Sequence, residues 1–171
     1  MGEEKNPVIE RVKKAFSDQF LGATEALGEV TISVKRDKIV DILGFLKEED
    51  DLKFEMMMDL CGVDYLEAGG FERFAVVYHL YSMTYNRRLR IKAFIPEGDE
   101  QIDSVISLWA GADWPEREVF DMFGITINHH PDLRRILCPD DFEGHPLRKE
   151  FPVEGTGYRG KFEKITRDMA Q

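Results

Sequence analysis

The chain has few of the residues that build redox centres, disulfides or membrane spans. Among its 171 residues are two cysteines, Cys61 and Cys138, which lack the spacing of a zinc or iron–sulfur ligand set. We therefore expect reduced thiols and no cofactor bound by this chain. No glycine-rich dinucleotide loop occurs. No apolar run approaches the roughly 20 residues that cross a bilayer, and residues 1–5 lack the apolar region of a signal peptide. These absences predict a cytoplasmic protein.

Basic residues are outnumbered, and the formal net charge is -10. All of this excess lies in residues 1–130, because residues 131–171 carry equal numbers of acidic and basic side chains. An acidic body is repelled by phosphate backbones and by anionic lipid headgroups. We therefore expect no nucleic-acid partner and no direct adsorption to a membrane.

The apolar share of 43% and the aromatic share of 11% indicate a folded core. Apolar periodicity predicts alternating helices and strands, and Asp37 is the expected cap of the second helix. The expected class is α+β, with helices packed in a second layer against a small mixed sheet. We expect a globular domain at 1–124 and an extended partner-docking tail at 125–171. The predicted helices lie at about 7–20, 37–46, 99–111 and 114–123, and the predicted strands at 30–35, 54–60, 74–83 and 89–95.

The helix at 114–123 leads directly into the tail. Asp113 and Glu116 have the spacing of a capping box, and Gly124 can end the helix with a positive φ. Glu118 and Asp121 lie near each other on this helix, and they could be interpreted as a catalytic acid and base. A neighbouring arginine would hold both carboxylates ionised, so a network that orients the tail or faces a partner is the alternative interpretation.

The tail contains an imperfect repeat. His130-Pro131-Asp132-Leu133-Arg134-Arg135 is echoed by His145-Pro146-Leu147-Arg148-Lys149. Proline fixes its own φ and keeps the residue before it extended, so each copy is a bent segment that presents one leucine and two cations. We call these copies the first and second strap. Phe142 and Phe151 flank the second strap and are expected to anchor it in a groove, because aromatic residues and arginine dominate interface energies.

Residues 116–149 resemble one family closely. The residues that carry the resemblance are Glu116-Arg117-Glu118, Asp121-Met122-Phe123-Gly124-Ile125, His130-Pro131, Leu133-Arg134-Arg135-Ile136-Leu137 and Gly144-His145-Pro146-Leu147-Arg148-Lys149. They are similar to the 30 kDa subunit, also called the C subunit, of proton-pumping NADH:quinone oxidoreductase, respiratory complex I. Ile127 and His129 depart from the family pattern, which usually has an aromatic residue and a glycine there.

The resemblance implies a non-catalytic structural subunit in the hydrophilic arm of complex I. It implies contacts with subunits D and B of the quinone module, with iron–sulfur clusters, flavin and quinone in the partner subunits. The expected location is the cytoplasmic face of a bacterial inner membrane, reached only through the complex. The expected partner-binding residues are Glu116, Glu118, Asp121, His130, Leu133, Arg134, Arg135, Phe142, His145, Leu147, Arg148, Lys149 and Phe151.

Two alternatives remain at this point. The chain could be the equivalent subunit of a membrane-bound hydrogenase or of another donor:quinone oxidoreductase. It could instead be a stand-alone hydrolase that uses Glu118 and Asp121 with His130 and His145. The histidines of the tail match no compact metal-ligand pattern, and His79 lies in an apolar strand where a structural role is expected.

Overall fold

A mixed five-stranded sheet is the centre of the structure. The computed structural model describes residues 6–155. The strand order is β1-β2-β5-β4-β3, in which β2 and β5 are parallel and the other neighbours antiparallel. The elements are α1 (Pro7–Ala15), β1 (Phe20–Ala26), β2 (Glu29–Lys35), α2 (Ile39–Glu48), β3 (Met56–Asp64), β4 (Phe74–Ser82), β5 (Arg87–Ile95), β6 (Gln101–Asp103), α3 (Asp113–Phe123) and β7 (Thr126–Asn128). The predicted α+β class with a mixed sheet is confirmed.

One face of the sheet carries the hydrophobic core. Successive side chains of a strand point to opposite faces, so alternate residues of β2, β4 and β5 line this face. They pack with the apolar sides of α1, α2 and α3 in a single cluster. Fully burying each such side chain contributes roughly 1.5–3 kcal/mol. The largest fully buried residues of this hydrophobic cluster include Tyr78, Phe54, Phe74, Ile32, Ile39, Ile42, Leu43, Leu46, Leu80 and Ile91.

The opposite face of the sheet is polar at its centre. Thr31, His79, Arg90 and Lys92 are half-buried there, and they alternate with core residues along β2, β4 and β5. A face with this composition has no helix layer of its own among residues 6–155. It therefore stays partly accessible to solvent.

The first predicted helix is too long, and a strand was missed behind it. Helix α1 ends at Ala15, and Phe20 begins strand β1, which pairs with β2 along the edge of the sheet. Leu27 and Gly28 both have positive φ, 54° and 78°, in the tight turn between these strands. Edge strand β1 is only half-buried, so it lacks the strong alternation by which β2 was recognised.

The predicted helix at 99–111 is wrong. Residues Gln101–Asp103 form β6, which pairs in parallel with β7, and a 3₁₀ turn at Ala110–Ala112 precedes α3. The apolar residues that suggested a helix, Ile102 and Val105, are buried instead by these irregular segments. The N–H of Val105 is bonded to the side chain of Glu116 rather than to a helical carbonyl. Tertiary hydrogen bonding thus outweighs the weak local helical periodicity.

Neither predicted helix cap forms. Helix α2 begins after Lys38, and no side chain caps it; Asp37 lies 3.7 Å from Arg36 instead. Helix α3 also begins without a side-chain cap: Asp113 is its first residue, and the Glu116 carboxylate accepts from Ser104 and Val105 instead. The globular body also continues past the predicted boundary at 124, since β7 belongs to it and Ile125 and Ile127 are buried.

Candidate functional site

The C-terminal end of α3 is covered by the second strap. The carbonyls of residues 121–123 have no partner within the helix, as at any helix C-terminus. The second strap supplies three donors: His145 Nδ1 at 2.9 Å, the Leu147 N–H at 3.1 Å and Arg148 Nε at 2.6 Å. Arg148 also lies over the ring of Phe74, 5.0 Å from its centroid. The second strap is therefore fixed to the domain by a set of donors that matches the helix end.

Gly124 is required at this junction for two reasons. Its φ is +70°, a left-handed conformation in which a side chain is strained, and its N–H closes the helix on Phe120 O at 2.9 Å. A Cβ atom there would also stand 2.5 Å from His145 Nε2 and 2.9 Å from Arg148 Nη2. The predicted glycine at the C-terminus of α3 is confirmed. The close approach of the second strap is a further reason why a side chain does not fit there.

Asp121 holds the chain that follows the first strap. Its buried carboxylate accepts hydrogen bonds from the N–H groups of residues 136–138, at 3.1, 2.8 and 2.8 Å, and from Arg135 Nη1 at 2.8 Å. Burial alone would raise the pKa of Asp121, but these four donors outweigh it and leave the pKa below its usual value. Asp121 is thus an ionised anchor that fixes the segment between the two straps.

Glu116 connects the N-terminal half of α3 to the irregular segment before it. Its carboxylate is 2% exposed and accepts from Ser104 Oγ and from the Val105 N–H, each at 2.7 Å. Burial raises the pKa of Glu116, and its two neutral donors only partly oppose that shift. The buried ring of His130 lies beside it, with Nε2 at 3.3 Å from the carbonyl oxygen of Asp113 and 3.8 Å from the Glu116 carboxylate. The first residue of the first strap, His130, therefore lies beside the buried Glu116 carboxylate.

The first strap also packs against the domain. Arg117 Nε donates to the carbonyl of Arg134 at 3.2 Å, and Leu133 packs against the hydrophobic core. The Arg134 side chain remains exposed and is bonded to Asp132 at 2.9 Å. The strap backbone is therefore fixed, while one of its two cations faces solvent.

A third buried carboxylate, Asp64, extends these contacts. Asp64, at the end of β3, accepts the backbone N–H of Lys149 at 3.0 Å and pairs with Arg73 at 3.2 Å. Arg73 also pairs with Glu97 and Glu150. Sequence reasoning missed Asp64 and Arg73, because they lie far from the straps in sequence and carry no motif.

The residues expected to bind a partner therefore fall into two groups. One group makes internal contacts, so a structural role accounts for their side chains: Glu116, Asp121, His130, Leu133, Arg135, His145 and Arg148. Phe142 and Phe151 also belong to this group, because their rings stack on each other with centroids 5.9 Å apart. The exposed group consists of Glu118, Arg134, Leu147 and Lys149, with Leu137 as an unanticipated member.

The geometry contradicts the hydrolase alternative. Glu118 is exposed, whereas Asp121 is fully engaged by the four donors described above. His130 and His145 contact carbonyls of Asp113 and Asp121, eight residues apart on α3, which is about 12 Å along a helix axis. These groups do not converge on one pocket.

An α+β domain whose last helix is covered by a segment with exposed apolar and basic side chains offers a surface for contacts with other chains. The family described as "Respiratory-chain NADH dehydrogenase, 30 Kd subunit" matches residues 32–157. The chain belongs to this family, and it is part of a complex I-type oxidoreductase.

Curated relatives support this assignment over most of the chain. The chain is 47% identical over 162 residues to the C subunit of NADH-quinone oxidoreductase from Geobacter sulfurreducens, covering 92% of this chain and 98% of the relative. It is 44% identical over 153 residues to the protein of the same name from Roseiflexus sp., covering 90% and 87%.

Solved structures share the fold. The trypsin-resistant fragment of Nqo5 is 32% identical and aligns with a TM-score of 0.63, covering 74% of this chain and 99% of the fragment. A chain of the membrane-bound sulfane sulfur reductase, an archaeal respiratory membrane complex, aligns with a TM-score of 0.73 over 96% of this chain at 24% identity. The second similarity concerns the fold alone.

Proposed function

We propose that this chain is a non-catalytic structural subunit of the hydrophilic arm of NADH:quinone oxidoreductase, where it holds the quinone-reducing module together. The observation that carries the proposal is the arrangement of the straps. The backbone of the straps and of the segment between them is fixed to α3 and β3 by internal hydrogen bonds, yet Arg134, Leu137, Leu147 and Lys149 stay exposed. A preorganised segment with exposed leucines and cations loses little entropy on docking.

The proposed partners are subunits D and B, which would carry the iron–sulfur and quinone chemistry, with the flavin further along the arm. The exposed cations of the straps suit carboxylates on those partners. In residues 6–155 no helix has the length and apolar character needed to span a bilayer. We propose that the chain reaches the cytoplasmic face of a bacterial inner membrane through these partners.

The proposal is tested by assembly in the native membrane. Arg134→Ala combined with Lys149→Ala removes two exposed charges and the surface pair of Arg134 with Asp132, and it leaves the backbone bonds that fix the straps to α3 and β3 in place. Lys14→Ala combined with Lys35→Ala removes the same charge from exposed positions on α1 and β2. We expect the first pair to lower recovery of the assembled complex and membrane NADH:quinone activity, and the control pair to leave both unchanged. Equal recovery for both pairs would contradict the docking function of the straps.

The chains that co-purify with the affinity-tagged protein distinguish the related complexes. Mass spectrometry is expected to identify subunits D and B together with an NADH-oxidising flavoprotein. Recovery of hydrogenase subunits instead would assign the chain to the membrane-bound hydrogenase alternative.

A further inference from the structure

The open face of the sheet brings together three side chains of different chemistry that can each bind a metal. Asp59 and Cys61 lie two residues apart on β3 and therefore share a face, and His79 on β4 is the direct cross-strand partner of Asp59. A carboxylate oxygen, the thiol sulfur and an imidazole nitrogen all lie within 4.8 Å of one another. This cluster lies on the sheet, apart from the strap contacts at the end of α3.

A β-bulge creates this arrangement. The pairing of β3 with β4 shifts between Met57, which faces Leu80, and Asp59, which faces His79. Without the extra residue, Met58 would face His79 and Asp59 would lie on the core side, because a one-residue shift exchanges the two faces of a strand. The local irregularity in β3 therefore places a carboxylate opposite an imidazole.

We propose that Asp59, Cys61 and His79 form a three-ligand site for a divalent transition cation of the zinc type. Zinc takes a thiolate, an imidazole and a carboxylate at about 2.0–2.3 Å, which sets tetrahedral ligand atoms roughly 3.4–3.8 Å apart. The observed ligand atoms lie within 4.8 Å of one another, so the three side chains must draw together to reach that spacing. Asp59 and His79, though not Cys61, also line a surface cavity of 280 Å³ together with Glu29, Arg88 and Arg90, and this cavity leaves two of the ligands accessible to a cation.

The surrounding charges allow such a site. The residue paired with His79 on β5 is Arg90, whose charge is engaged by Glu29 at 3.0 Å and by Thr31 at 3.2 Å. Burial raises the pKa of the Cys61 thiol, and Asp59 and Glu118 add to that shift while Arg90 opposes it. The cation replaces the thiol proton: a sulfur–metal bond forms, the S–H bond breaks and one proton is released to solvent.

Cobalt binding tests the site, because Co²⁺ replaces zinc and gives a thiolate-to-metal charge-transfer band. The purified full chain, reduced and freed of metal, is titrated with Co²⁺ and then with Zn²⁺. We expect one equivalent of Co²⁺ to produce the band and Zn²⁺ to abolish it. Cys61→Ser is expected to lose the band, whereas Cys138→Ser, which removes the second thiol of the chain, is expected to keep it. No band in the wild type, or a band that survives Cys61→Ser, would overturn the proposal.

The other two ligands are tested by variants of similar shape. Asp59→Asn and His79→Gln are each expected to weaken Co²⁺ binding at least roughly tenfold. Urea unfolding of each metal-free variant shows whether that variant is still folded. Only the Co²⁺ affinity of a folded variant is used to judge whether the substituted residue is a ligand. Unchanged affinity in a folded variant would exclude that residue as a ligand and contradict a three-ligand site. This inference departs from the sequence-based expectation of no metal, and its tests do not depend on the proposed assembly function.

Discussion

Helix α3 contains two buried carboxylates whose surroundings shift their pKa in opposite directions. Asp121 faces three backbone N–H groups and a guanidinium, and its pKa is lowered despite burial. Glu116, five residues earlier, has one hydroxyl and one N–H donor, and burial raises its pKa. The number and charge of the donors therefore decide whether a buried carboxylate stays ionised. The comparison distinguishes an ionic anchor at the end of α3 from a carboxyl at its start that is held by two neutral donors and has a raised pKa.

The largest expected effect comes from removing the charge at the ionic anchor. Asp121→Asn places an amide against several N–H donors and leaves Arg135 without its buried partner. We expect a loss of about 3 kcal/mol in the free energy of unfolding, the range for breaking a buried ion pair. Urea unfolding of the full chain measures it. Glu118→Gln, on the exposed side of the same helix, is the control and should change stability by less than about 0.5 kcal/mol.

A smaller loss is expected where the second strap approaches the helix. Gly124→Ala introduces a Cβ at a φ of +70° and pushes against His145 and Arg148. We expect about 2 kcal/mol of destabilisation, the sum of backbone strain and displaced strap contacts. Gly111→Ala is the matched control, because a Cβ there meets no atom within 4 Å. Equal stability of the two variants would show that the strap does not approach Gly124.

The smallest effect is expected at Glu116. Glu116→Gln keeps an acceptor for the Val105 N–H and can donate to Ser104, so stability at neutral pH should change by less than about 1 kcal/mol. A loss as large as that of Asp121→Asn would mean that the Glu116 charge is structurally required, and it would remove the contrast between the two carboxylates.

The pH dependence of the two variants should have opposite signs. Asp121 has a lowered folded pKa, so its contribution is present above the unfolded value of about 3.9 and is lost as pH falls through the folded pKa. Glu116 has a raised folded pKa, so wild type loses stability relative to Glu116→Gln as pH rises from about 4.3 through the folded value. Unfolding of both variants and wild type between acidic and neutral pH checks this. If the stability difference from wild type changes with pH in the same direction for both variants, the opposite pKa shifts of Asp121 and Glu116 are wrong.

Sequence patterns predicted the structure correctly where the conformation depends on neighbouring residues in the same segment. Strands β4 and β5 and the glycine after α3 were predicted correctly, because runs of β-forming residues and a left-handed φ are local requirements. The helix predicted at 99–111 failed because the side chain of Glu116, from a later element, takes the N–H of Val105. Strand β1 was missed because an edge strand is only half-buried.

The candidate site was predicted in part, for a similar reason. The repeated straps pointed to the segment that covers α3, and the resemblance identified the family. Which parts of the straps turn inward could not be inferred, because Asp121 reaches the Arg135 side chain and Asp64 reaches the Lys149 N–H only in the folded chain. The bulge that faces Asp59 towards His79 also depends on strand register, which the sequence does not specify.

Hydrogen exchange at the amides of Ile136, Leu137 and Cys138 tests the central claim most directly. These N–H groups donate to the Asp121 carboxylate and belong to no helix or strand. In the free full chain at neutral pH we expect all three to be protected, and to lose that protection in Asp121→Asn while the amides of β4 and β5 remain slow. Fast exchange at all three positions in the wild-type chain would show that the segment between the two straps is not anchored to its own domain.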